Sequence, residues 1–182
     1  MRQWCGSDDE YEIVKYGITI LLEIVVGVLL AIVSGIVWKC LPKMLLFIIF
    51  FVSIRVNAGG LHMKSACGCL AFSSIVFCIV SAFFQKCADI SMPIGCVIGA
   101  ALLIYIFSPV EDFNKKLYQS EKKLFKKRTM IILIIEMLVW IMLRRINKKS
   151  LNQTVELSFV IEALSILLDL CIKLAKRFRR SN

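Results

Sequence analysis

Arg55-Val-Asn-Ala-Gly-Gly-Leu-His62-Met-Lys-Ser-Ala-Cys67-Gly-Cys69 is a polar interruption between two apolar runs, and it contains the single histidine of the chain, its one Gly-Gly pair and two of its eight cysteines. On the N-terminal side lie 11 residues, 44–54, all apolar but Ser53, and on the C-terminal side 19 apolar or small ones, 66–84. Polar groups set between segments of bilayer character are costly to keep there, so the stretch reads first as a functional site.

Working outward, the flanks repeat the pattern. Residues 16–37 hold one charge, Glu23, in 22 positions; 90–108 is a run of 19; 129–143 is shorter, with Glu136 near its middle; 155–172 carries Glu156, Glu162 and Asp169. Across 182 residues the apolar share is 59%, against about 45–50% in soluble domains, and the mean hydropathy is +0.79. Continuous runs without alternation predict helices and exclude a spanning barrel. The expected fold is an all-α integral membrane protein of about six hydrophobic segments, four to six of them full spans and the rest re-entrant, forming a single polytopic domain over 1–182. The 44–54 run, roughly 16 Å as a helix, falls short of about 30 Å of hydrocarbon. Either it borrows both flanks, with Lys43 and Arg55 snorkelling, or it dips in and returns.

The net charge of +10 arises from 23 Lys and Arg against 13 acids. In a soluble chain such a balance would suggest nucleic acid; here the charges gather in loops and at the C-terminus, where membrane orientation explains them and no nucleic-acid partner is expected. Seven fall in the 109–128 loop, four at 144–149 and five from Lys173 onward. Six segments with both ends inside put 16 basic residues on the cytoplasmic face and 7 outside, which favours cytoplasmic termini and a cytoplasmic 55–65 region. The four at 144–149 fit poorly and suggest a re-entrant or short, tilted fifth segment. Residues 1–15, acidic and carrying Trp4 and Tyr11, lack the basic start of a secretory signal and predict an amphipathic helix at the membrane surface. Cysteines inside apolar runs (Cys78, Cys96, Cys171) read as small buried residues, not as a disulfide framework.

A cysteine nucleophile needs a base for its proton and donors for an oxyanion. His62 is the one available imidazole, and Cys67 and Cys69 are the near thiols. On an unbroken helix Cys67 points about 140° away from His62, while Cys69 lies roughly 10 Å along the axis. Contact therefore requires a break around Ser65 or Gly68, or a loop ending at His62 that folds over the next helix, with Gly59 and Gly60 supplying the freedom upstream. Arg55 and Lys64 would favour the thiolate, and N–H groups at the helix start after Ser65 would face an oxyanion. The plain alternatives are an inert thiol, a structural histidine and a packing turn. Glu162 and Asp169 share a helix face, with Asp169 able to meet Lys173 at i,i+4; interhelical hydrogen bonding is the expected role of the intramembrane acids.

The pattern Arg55-x4-Gly60-x-His62-x6-Cys69 resembles the signature of the accessory gene regulator B family, the membrane endopeptidases of Gram-positive quorum sensing. Ser108-Pro109-Val110 with the lysine-containing stretch after it, and Val160-Ile161-Glu162-Ala163, are similar to further family motifs. Cys67 departs from the pattern as an additional thiol. The resemblance implies a bacterial plasma-membrane cysteine peptidase and cyclase without cofactor or metal. Cys69 would cleave the C-terminal tail from a short propeptide with an amphipathic leader, leaving a thioester, and an internal Cys or Ser would close a thiolactone or lactone ring. His62 would act as base and then acid. The basic loop, with Lys115 and Lys116, would attract an acidic tail or simply fix topology, and Glu162 would serve the tail or the structure. The rivals are a helical peptide exporter without protease activity and a metal site on His62, Cys67 and Cys69. So small a bundle has little interior, which suggests a homodimer.

Overall fold

The computed structural model describes residues 8–61, 66–87, 90–110 and 118–181. Six α-helices and no strands occur among them: α1 (Asp8–Val37), α2 (Leu41–Ala58), α3 (Ala66–Lys86), α4 (Ile94–Phe107), α5 (Gln119–Arg145) and α6 (Lys149–Ser181). The fold is an all-α membrane architecture. Three helices, spanning Gly17–Val37, Leu41–Ala58 and Cys67–Lys86, are long and apolar enough to cross a membrane.

α2 takes the first of the two courses open to the 44–54 run. Pro42 sits in its first turn and Arg55 in its last, so the helix borrows both flanks and reaches 18 residues, about 27 Å. Arg55 does not snorkel, however; its side chain, 18% exposed, turns inward to Glu162 on α6. The surface helix expected over 1–15 is replaced, in its described part, by the opening turns of α1, which run unbroken into the span; residues 1–7 lie outside the described set. α5 is likewise one unbroken helix of 27 residues, about 40 Å, not a re-entrant loop.

α4 is shorter than its apolar run. Of 90–108, only Ile94–Phe107 is helical, and Pro93 is its N-cap. The reason lies on α6. Buried Glu156 accepts from Met92 N at 2.7 Å and Ser91 Oγ at 2.9 Å, and Gln153 Nε2 donates to the Cys87 carbonyl at 2.6 Å and that of Ile90 at 3.3 Å, so α6 captures these residues outside the helix. Glu156 also accepts from Trp140 Nε1, Asn152 Nδ2 and Arg144.

α6 is the interior helix, packed against α2, α4 and α5, while α1 and α3 pair with each other and α1 joins them to α2. Two apolar clusters follow this division. Ile54, Val97, Ile104, Trp140 and Phe159 knit α2, α4, α5 and α6, and Met44, Phe47, Phe77, Val80 and Phe84 knit α2 to α3. Ser34 on α1 and Ser81 on α3 hydrogen-bond at 2.9 Å inside the second cluster. Large apolar side chains such as Leu21, Leu29, Ile79, Ile134 and Leu138 cover the outside, as a lipid-facing surface requires. Cys78, Cys96 and Cys171 lie on that surface and not in the interior expected for them.

Candidate active site

The last turn of α2 delivers the chain into a tightly held turn. Gly59 and Gly60 have φ of 74° and 147°, in the region where side chains are strained. A Cβ on Gly59 would stand 2.5 Å from the Val110 carbonyl oxygen, and one on Gly60 would collide with the Arg55 guanidinium. The Val110 N–H donates to the Ala58 carbonyl at 2.8 Å, so the Ser108-Pro109-Val110 segment straps the end of α2. Both glycines are required by close approach.

Arg55 is the staple of this turn. Its guanidinium donates to the Leu61 carbonyl and to Ser165 Oγ and lies 3.6 Å from the fully buried Glu162 carboxylate. Ser165 Oγ also accepts from the Leu61 N–H at 3.1 Å. Leu61, one residue before His62, is thus fixed to α6 by both its N–H and its carbonyl. Among the described residues the partners of Arg55 are these, and not a thiol. Glu162 lies beside the same staple, and Asp169 pairs with Lys173 at 2.5 Å within α6.

His62, Lys64 and Ser65 lie outside the described residues, as do Lys115 and Lys116. Downstream, α3 starts at Ala66 and runs straight through Gly68 and Cys69; a bend at Gly68 is absent, and any meeting of His62 with Cys69 rests on the segment before Ala66. The two thiols of the motif differ in setting. Cys67 is exposed, whereas Cys69 is half-buried and its thiol donates to Glu23 Oε2 on α1 at 3.8 Å. Cys69 also lies within the first described turn of α3. Glu23 is the site residue that sequence reasoning placed only as an interhelical acid; its being the lone charge in 16–37 was the available signal. No three metal-ligating side chains gather among the described residues.

The arrangement therefore offers a half-buried thiol beside a carboxylate at a helix start, downstream of a clamped turn. The family profile described as Accessory gene regulator B matches residues 3–166. AgrB-like protein 2 of Clostridium perfringens strain 13 is 27% identical over 142 residues, covering 73% of this chain and 66% of that protein. An AgrB-like protein of Clostridium perfringens strain SM101 is 26% identical over 145 residues, 75% of this chain and 68% of the relative. The match thus spans just under two thirds of the first relative and slightly more of the second. No solved structure matches the chain. With nine-tenths of its length inside the family profile, the chain belongs to the accessory gene regulator B family of membrane proteins.

Proposed function

We propose that this protein is a membrane cysteine endopeptidase that shortens a propeptide and cyclises it into an autoinducing peptide for quorum sensing. The observation that carries the reading is the placement of Cys69, half-buried in the first turn of α3 with its thiol on Glu23, shortly after a turn stapled through Leu61. His62 removes the proton as Cys69 Sγ attacks the scissile carbonyl. The C–N bond breaks, His62 returns the proton to the leaving amine, and the tail departs. The acyl group remains on Cys69 as a thioester, reactive enough for a second transfer if water is kept away. A peptide thiol or hydroxyl then gives its proton to His62 and attacks that carbonyl. The bond between the acyl carbon and Cys69 Sγ breaks, His62 returns the proton to the freed thiolate, and a thiolactone or lactone closes. Arg55, Gly59 and Gly60 hold the turn that carries His62, and Lys64 and Ser65 flank the oxyanion. In the same proposal the site faces the cytoplasm and the protein works as a homodimer.

The test is mass spectrometry of the protein in membranes mixed with candidate propeptides. A peptide acyl group on the fragment bearing Cys69, lost in Cys69→Ser and retained in Cys67→Ser, is the expected result. Normal shortening of the propeptide by Cys69→Ser refutes the assignment, and peptide that crosses vesicles at full length favours an exporter.

A further inference from the structure

α5 opens with two lysine pairs, Lys122–Lys123 and Lys126–Lys127, whose i, i+1, i+4, i+5 spacing places them on one side of the helix. With Pro109, Met130, Ile131 and Ile134 they line an open groove of about 530 Å³, and no acidic side chain takes part in its lining among the described residues. The nearby Glu121 is turned to its own helix start, accepting from Tyr118 N at 2.9 Å. Lys126 leans back onto the end of α4, donating to the Tyr105 and Ser108 carbonyls with its Nζ 4.9 Å from the Tyr105 ring centre. The cationic rim is therefore tied to the end of α4, and Pro109, just beyond that end, closes one side of the groove. Below the rim its walls are apolar. Ile131 and Ile134 are 49% and 57% exposed, and Ile135 and Leu138 continue the same exposed apolar course along α5.

We propose that this groove binds one anionic phospholipid, its phosphate on the lysine rim and its acyl chains along Ile131, Ile134 and Leu138. Two features select a lipid. Lysines immediately beyond an apolar helical segment lie at headgroup depth and attract anionic lipid, and the floor beneath them opens sideways onto the bilayer-facing side of α5. A phosphodiester with acyl chains satisfies both parts of the groove, whereas an acidic peptide or a free phosphate uses only the rim. The inference stands independently of the peptidase chemistry.

The test uses the full chain in neutral detergent, with native mass spectrometry reading retained lipid. Phosphatidylglycerol is expected to be held at one per chain, over phosphatidylcholine of the same acyl chains by about tenfold or more, from the pull of clustered lysines on one anionic headgroup. Lys122→Gln/Lys123→Gln/Lys127→Gln should reduce retention to the phosphatidylcholine level, and the corresponding Lys→Arg triple variant should restore it. Arg145→Gln/Lys148→Gln/Lys149→Gln, at the other end of α5, should leave it unchanged. Undiminished phosphatidylglycerol on the first variant, or an equal loss on the distant one, overturns the proposal. So does competition by glycerol 3-phosphate, which would mark a phosphate site, or displacement by a short polyglutamate peptide at lower concentration, which would mark a peptide dock.

Discussion

Glu23 accepts from the Cys69 thiol across the α1–α3 interface, a contact suited to holding the S–H in place until a base removes the proton. It is a positioning residue. Glu23→Ala is expected to slow thioester formation by about 10²-fold, the scale of a misplacement near 1 Å. Glu23→Gln, whose amide oxygen still accepts from the thiol, should retain most of the rate. Single-turnover acylation of the membrane-embedded protein measures both, and an Ala variant as fast as the parent removes the role. The sequence showed this acid as the single charge of its segment, but not its partner, which is 46 positions away. Cys67 and Cys69 were likewise equivalent as letters; helix phase separates them, one exposed and one half-buried.

Between elements, the charged contacts bind helices far apart in the chain. Arg55 on α2 and Glu162 on α6 form a pair whose removal from one side leaves a buried charge unmatched, a loss of about 3–5 kcal/mol. Glu162→Leu should therefore lower the thermal midpoint strongly, and Arg55→Met/Glu162→Leu should recover much of it. The double variant still lacks the donor to Leu61, so peptide cleavage should remain absent. Recovery of cleavage along with stability would show that the staple is dispensable. Glu156 is a second such tie, with donors from the α3–α4 connection, α5 and its own helix. Glu156→Ala leaves several buried donors unmade, each costing about 1–3 kcal/mol. A large drop in the thermal midpoint and a red-shifted Trp140 emission are expected, and an unchanged midpoint contradicts the role. The six segments were legible because apolar runs mark them directly. Their ends were not: α4 begins at Ile94 because Glu156, over 60 positions later, captures Met92, and α2 extends because Lys43 and Arg55 find partners on α6.

For the molecule as a whole, the polar ties collect at two opposite ends of the bundle, and these are the natural membrane faces. One end holds Arg55, Ser165, the Val110 strap and the lysines of α5; the other holds the Glu156 group, Gln153 and Lys43. Of the four basic residues at 144–149 that fit the orientation count poorly, Arg144 is drawn 3.4 Å from Glu156 and over the Trp140 ring; Lys43, at the same end, is drawn to Gln153. These two are engaged in the fold, while Lys123, Lys127 and Arg128 of α5 stand exposed at the first end, on the face that the basic count favours as cytoplasmic. Cys67, exposed at that first end, and position 148, exposed at the second, report the faces directly. In chains with every other cysteine replaced by serine, a membrane-impermeant maleimide should label Lys148→Cys from outside intact spheroplasts and Cys67 only in inverted vesicles. The reverse pattern would turn the molecule over and place the candidate site on the exterior, against the proposed cytoplasmic site. Labelling of both positions from one face would show that α3 through α5 do not cross the bilayer as the helix directions require.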